Sequence, residues 1–234
     1  MPETAPIALP PIVLQGRTWF VIDKPAGLAV HPGPSTPESL EDLLTGYAPG
    51  RPAPQPVHRL DRDTSGCLLV ARRKSSLRAL SLSFATGLVQ KRYLAVVENP
   101  PMADAGLVAA PMLKQSSAQA GWRMVVDARG KAARTHWEVL ERNAGFALIR
   151  FRPETGRTHQ IRVHANLLAP NSAIVGDPVY GAAHPGGMML HAHTLAFPDP
   201  QSGTTQTAEA PCPDRFKPFG FPGTSEMPTP GPSS

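Results

Sequence analysis

The stretch "HRLDRDTSGCLLVARR", His58–Arg73, crowds six charged side chains and a histidine against an apolar run. A plain structural strand has no need of Asp61 set between Arg59 and Arg62, just ahead of a Thr64-Ser65-Gly66 bend. A solvated loop has no need of "GCLLVA" directly behind it. The two halves make sense together as a loop that aims one carboxylate, anchored by a strand buried on both faces. Working outward, "RTWFVIDKPAGLAVHPG" reads as a strand that breaks at Lys24-Pro25, with Pro25 and Gly27 forcing a turn. On the other side, "KSSLRALSLSFATG" predicts a helix ended by Gly87, and "LVQKRYLAVVE" a strand.

The same reading extends to the rest of the chain. "STPESLEDLLTGY" predicts a helix capped by Ser35 or Thr36, with Pro37 in its first turn and Leu40, Leu43 and Leu44 on one face. "RPAPQP" is an extended connector. Residues 99–130 hold mixed signals for turns and short strands. "KAARTHWEVLERNAGFALIRFRP" predicts a hairpin turning near Asn143-Ala144-Gly145. "TGRTHQIRVHANLLAP" predicts a helix with Thr158 as N-cap and an apolar stripe of Ile161, Leu167 and Leu168. "MMLHAHTLAFPDP" predicts a last strand. Many strands and few helices argue for an α+β fold with a mixed, mainly antiparallel sheet.

The chain has 234 residues, with 28 prolines and two cysteines. About 12% proline is more than twice the ordinary share of about 5%. Much of the excess lies in residues 1–11 and 221–234, which are expected to be disordered tails flanking a domain over 12–220. The 23 basic against 18 acidic side chains leave +5, which favours a polyanionic partner. Cys67 and Cys212 make no disulfide framework. No stretch approaches the roughly 20 apolar residues of a membrane span. The N-terminus lacks the basic and apolar regions of a secretory signal. A soluble cytoplasmic protein is expected, with no membrane contact.

Four places could carry chemistry. Asp61 lies beside two arginines, and nearby cations favour an ionised carboxylate that serves as nucleophile or base; the alternative is a surface ion-pair cluster. Arg157, in "RPETGRTHQIRVH", falls at the predicted start of a helix, where a cation is disfavoured unless an anion lies beside it; the alternative is a side chain in water. Tyr93 sits in an apolar strand beside Lys91 and Arg92. It is either a core ring, or a ring that packs on a nucleobase, or a phenol that handles a proton. His191 and His193 suggest a metal, with His31, His58, His136, His159 and His164 elsewhere. There is no HExxH and no paired CxxC, so no metal site is expected. "DKPAG" lacks the glycine spacing of a phosphate loop, and "GDPVYG", Gly176–Gly181, is read as a turn with no acid–base role.

In order and spacing, "DKPAGLAVHPG", "HRLDRDTSGCLLVAR", "KRYLAVV", "ETGRTHQIRVH", "GDPVYG" and "LHAHTLAF" resemble the RluA family of pseudouridine synthases. The likeness runs from about Phe20 to Phe197. It implies a single catalytic domain with a cleft across its sheet, and isomerisation of uridine to pseudouridine in ribosomal or transfer RNA. It implies Asp61 as the catalytic aspartate, Tyr93 as the tyrosine that packs on the target base, and Arg157 as the arginine that pairs with the aspartate. Arg59 matches a residue that, in some members, fills the space left by the flipped nucleotide. Arg62 is expected to steady the distorted RNA backbone, and Ile161 or Val163 to line the pocket below the base. The reaction exchanges a carbon–nitrogen for a carbon–carbon bond with no net oxidation or hydrolysis, so no cofactor is expected.

The sequence begins almost directly at the catalytic motifs, so RNA affinity is expected from the domain's own basic surface: Arg72, Arg73, Lys74, Arg78, Lys91 and Arg92. A monomer is expected. Two other readings stand beside the enzyme: a non-catalytic RNA-binding module of the same fold, and a metal-dependent RNA hydrolase using His191 and His193.

Overall fold

The computed structural model describes residues 9–33, 36, 38–47, 52–117 and 121–221. In chain order the elements are β1 (Ile12–Gln15), β2 (Trp19–Lys24), α1 (Leu40–Tyr47), β3 (Gln55–Pro56), β4 (Ser65–Ala71), α2 (Lys74–Ala85) and β5 (Gln90–Glu98). Then follow β6 (Ala105–Ala109), β7 (Met112–Ser117), β8 (Gly121–Val126), β9 (Arg134–Asn143), β10 (Phe146–Pro153), α3 (Gln160–Ala165), β11 (Ala173–Ile174), β12 (Leu190–Pro198) and β13 (Thr205–Glu209). A 3-10 turn covers Asp214–Phe219. The fold is α+β with a mainly antiparallel sheet, as expected.

The elements form two compact units. The first draws on the chain up to Lys91 together with Thr194–Ala210. Here β2 pairs antiparallel with β1 on one side and β4 on the other, and β13 pairs with the C-terminal part of β12. Every residue of β4 is buried, which is what the run behind the Asp61 loop predicts. Trp19, Val21, Cys67, Leu69, Leu80, Leu195 and Phe197 form the core, and burial pushes the Cys67 thiol up to about 12. It packs as a small hydrophobe, and both cysteines are buried and in no disulfide.

Helix α2 ends where the sequence says. Gly87 takes φ 76°, its N–H reaches the Phe84 carbonyl and Leu88 N–H the Ser83 carbonyl, the paired bonds of a Schellman stop. Helix α1 departs from expectation at its start. Its cap is Ser39, whose hydroxyl and N–H both bond the Asp42 carboxylate, at 2.7 and 2.8 Å. Thr36 instead bonds Gly33 in the preceding turn, and Ser35 and Pro37 lie outside the described residues. A Ser-x-x-Asp box three residues nearer the leucines outcompetes the earlier candidates. "RPAPQP" ends as strand β3, its Gln55 and Pro56 paired with Ala71 and Val70.

The second unit draws on Arg92–His193 together with the chain from Pro211 on. Strands run β5-β10-β9-β6, with β11 on β5 and β7–β8 as a separate two-stranded ribbon. The β9–β10 hairpin turns through Ala144 and Gly145, at φ 44° and 86°, the mirror-image turn that matches strand twist. Alternate residues of β5 feed two cores: Ala95 and Val97 pack with Ile149, Phe151 and Ile161, and Leu94 and Val96 with Leu148, Phe216 and Phe221. Phe221, the first residue of the expected tail, is therefore core; residues 1–8 and 222–234 lie outside the described residues.

Helix α3 is capped by His159 at φ 54°, with no side-chain cap bond, so Thr158 is not the N-cap. The helix stops at Ala165, and Leu167 is left 47% exposed rather than extending a stripe. Three of its six residues, Gln160, Arg162 and His164, are polar and buried. Inward polar partners, not an apolar stripe alone, fix this segment.

Candidate active site

In the first unit, Asp61 is half-buried on a loop pinned at both ends. Upstream, Val57 N–H bonds the Leu69 carbonyl, and His58 Nε2 accepts the Leu69 N–H at 3.1 Å. That bond requires the proton on Nδ1. The His58 ring stacks on Phe84 at 4.6 Å, and burial, aided by the Lys91 ammonium, lowers its pKa to about 3. Leu60 is 5% exposed and plugs the loop into the interior. Downstream, the Arg62 carbonyl accepts from Gly27 N–H at 2.9 Å and from Lys24 Nζ at 3.0 Å. Arg62 Nε in turn donates to the Gly27 carbonyl. Lys24 is fully buried, and its ammonium also caps the carbonyls of Pro25 and Leu28, both at 2.8 Å. Thr64 N–H closes a turn onto the Asp61 carbonyl. Arg59 and Arg62 are exposed.

In the second unit, Tyr93 is half-buried on β5 opposite Phe151 and packs on the core that holds Ile161. Val163 belongs to another cluster, with Met112 and Ala133. Tyr93 and Ile161 are thus brought together, and Val163 faces elsewhere. Arg157 is exposed; its Nε donates to the Ala132 carbonyl at 3.1 Å. Its backbone is set by Gln160, whose side-chain oxygen accepts from Arg157 N–H and from the Thr155 hydroxyl. Gln160 Nε2 donates back to the Arg134 carbonyl and the Thr135 hydroxyl. His164 bonds the same hydroxyl through Nδ1 and the Ala110 carbonyl through Nε2, and burial lowers its pKa.

Beneath α3, Arg162 makes a two-pronged pair with Asp177, both contacts 2.7 Å, with side chains 6% and 1% exposed. Burial pushes the Asp177 carboxyl up. The hydrogen bonds and charge of Arg162, and the N–H groups of Val179 and Tyr180, more than offset it and hold the pKa below the usual range. "GDPVYG" is therefore a structural anchor rather than a bare turn.

Sequence reasoning did not single out Lys24, His58, Gln160 or the Arg162–Asp177 pair. A signal existed for Lys24, the one cation closing an otherwise buried strand. The pair spans 15 residues and leaves no local pattern.

Of the expected basic surface, Arg73, Lys74 and Arg78 are exposed. Arg72 is engaged instead: its guanidinium lies 4.5 Å over the Phe20 ring and bonds Gln15. Lys91 is half-buried, and burial lowers its pKa. His191 and His193 ring centroids lie 6.1 Å apart, and among the described residues no group of three or more His, Cys, Asp or Glu is placed to hold a metal ion. No helix among them is long and apolar enough to cross a membrane.

A family model described as RNA pseudouridylate synthase matches residues 18–167. An uncharacterized RNA pseudouridine synthase of Zymomonas mobilis is 48% identical over 206 residues, 86% of this chain and 93% of that protein. Ribosomal large subunit pseudouridine synthase C of Haemophilus ducreyi is 36% identical over 88% of this chain and 67% of its own length. Among solved structures, human RNA Pseudouridylate Synthase Domain Containing 4 superposes with a TM-score of 0.74 at 25% identity, covering 93% of this chain and 94% of that one.

Proposed function

The chain belongs to the RNA pseudouridylate synthase family, and on that premise we propose that it isomerises specific uridines to pseudouridine in large-subunit ribosomal RNA, with Asp61 as its catalytic carboxylate. The carrying observation is the Asp61 loop itself. A half-buried carboxylate is held between a histidine-fastened strand and a lysine-fastened turn, inside the segment the family matches. Such pinning fixes a reacting group in place before substrate arrives. The ribosomal target follows the relatives named as large-subunit synthases. The enzyme is taken to act as a monomer in the cytoplasm.

The target base leaves the RNA stack at a cost of a few kcal/mol and is held in a pocket. Asp61 acts on the ribose, as nucleophile at the anomeric carbon or as base at the neighbouring carbon. The bond from that anomeric carbon to N1 breaks, the base turns, a bond to C5 forms, and the C5 proton is lost while N1 gains one. Tyr93 packs on the base against the cluster that holds Ile161. Arg157 supplies the cation that steadies the carboxylate, and a flipped base that excludes water strengthens such an attraction. Arg59 and Arg62, both exposed, face the distorted backbone. Mapping pseudouridine in total RNA from cells with and without this gene tests the reading. Loss of the modification at one or a few large-subunit positions supports it. Unchanged ribosomal RNA overturns the target, and unchanged RNA of every class overturns the activity.

A further inference from the structure

The β7–β8 ribbon is not used by the reading above. It stands outside the main strand order as a two-stranded sheet. Between Met112 and Val126 the sequence has two cations, Lys114 and Arg123, and no carboxylate. Several other cations of this unit are paired: Arg129 with Asp127, Arg134 with Glu154 and Arg150 with Glu138. Lys114 and Arg123 are both exposed, and among the described residues neither is in an ion pair.

The ribbon also carries Trp122, 45% exposed, whereas Trp19 and Trp137 are 2% and 8% exposed. The register puts Lys114 and Trp122 on one face, and the Lys114 ammonium lies 4.9 Å from the indole centroid. Trp122 is held rigidly for so exposed a side chain. It stacks on His159 at 5.0 Å and 25°. His159 Nδ1 bonds the Tyr180 hydroxyl at 2.9 Å, which also accepts the Met124 N–H at 2.9 Å. The Arg162 guanidinium lies 5.1 Å over the Tyr180 ring and is itself locked to Asp177. A column of rings thus rises from a buried ion pair to an indole at the surface.

At its base the ribbon is fastened to the Lys131 segment, where Met112 N–H bonds the Lys131 carbonyl at 2.9 Å and Gly130 passes so close to the Met112 backbone that a side chain there would collide with its carbonyl. The next carbonyl, Ala132, receives Arg157. The ribbon and the Arg157 loop therefore share a frame. An exposed indole with Lys114 on its own face and Arg123 on the opposite face of an acid-free ribbon fits one chemistry best: a single-stranded polyanion whose bases have ring faces and whose phosphates pass along the ribbon.

We propose that β7–β8 is a docking surface for single-stranded RNA next to the modified nucleotide, with Trp122 packing on a base, Lys114 meeting a backbone phosphate on the same face and Arg123 meeting one where the strand passes round to the other face. The proposal rests on the RNA reading above and adds the surface that holds the strand.

The test uses the full chain with a fluorescein-labelled twelve-residue oligouridine for binding, and tritium release from large-subunit ribosomal RNA labelled at uridine C5 for turnover. The variants are Trp122→Ala, Trp122→Phe and Lys114→Ala/Arg123→Ala, each compared with wild type by circular dichroism and melting. Trp122→Ala is expected to weaken oligouridine binding by about tenfold. It raises KM by a similar factor with kcat within about twofold, and Trp122→Phe restores most of both. The double variant is expected to flatten the dependence of binding on salt by about 0.7 per charge removed. Oligouridine is expected to shield the wild-type tryptophan emission from iodide, and Trp122→Phe abolishes that shielding. Variants that keep wild-type affinity, KM and salt slope overturn the docking surface while leaving the RNA reading in place. A wild-type chain that neither binds RNA nor releases tritium overturns both.

Discussion

The ammonium of Lys24 donates to the backbone carbonyl of Arg62 at 3.0 Å, one residue beyond Asp61. The ammonium of this fully buried lysine also reaches the Pro25 and Leu28 carbonyls, so the loop that carries the carboxylate is bound to the turn after β2. Replacing Lys24 by Met removes donors from the Pro25 and Leu28 carbonyls and leaves Arg62 with the Gly27 N–H alone. The expected cost is about 2–3 kcal/mol of stability, measured as the shift in urea unfolding. Tritium release is expected to fall by about 10²-fold where circular dichroism still shows a folded chain, because the carboxylate loses its fixed position.

His58 makes the loop's other fastening sensitive to acid. Its folded pKa is depressed to about 3, with burial the largest cause and Lys91 adding to it, against about 6.5 in the unfolded chain. Below 6.5 the unfolded chain binds the proton and the folded one does not, so stability falls as pH drops from about 6.5 toward 3. His164, lowered by burial, acts in the same direction. The slope contributed by His58 stays below about 1.4 kcal/mol per pH unit. Urea unfolding at pH 7.5 and 5.0 checks it: the difference between the two shrinks in His58→Gln, whose amide oxygen can accept the Leu69 N–H without titrating.

Arg162 and Asp177 are both buried, so removing one charge strands the other. Asp177→Asn is expected to cost about 3–5 kcal/mol in urea unfolding. Replacing both, as Arg162→Met/Asp177→Leu, is expected to recover part of that loss, since no unpaired charge remains. The loss extends to Tyr180 and His159, because Arg162 lies over the Tyr180 ring.

What the sequence makes legible is what local chemistry dictates. The β9–β10 turn needs positive φ, which Gly145 takes freely and Ala144 takes against its preference; the α2 stop needs a glycine, and Gly87 supplies it. The fully buried β4 follows from its unbroken apolar run. The misplacements arise where a competing partner lies nearby. Asp42 draws the α1 cap to Ser39, away from Ser35 and Thr36. The start of α3 moves to His159 because its ring is held between Trp122 and Tyr180, contacts 37 and 21 residues away in the chain that no periodicity registers. Arg162 illustrates the same limit: pattern reading sends an arginine to water, and only Asp177, 15 residues on, brings it inside. For the site, the motifs name Asp61, Tyr93 and Arg157, while the fastening of the Asp61 loop by Lys24 and His58 and of the Arg157 loop by Gln160 is visible in the fold.

The account stands on the carboxylate of Asp61, and tritium release from RNA labelled at uridine C5, by wild type and by Asp61→Asn at equal RNA occupancy, tests it most directly. The substitution keeps shape and hydrogen bonding but removes the charge. Wild type is expected to release tritium, and Asp61→Asn to bind RNA as wild type does and release none. Release by Asp61→Asn at a rate near wild type would contradict the account.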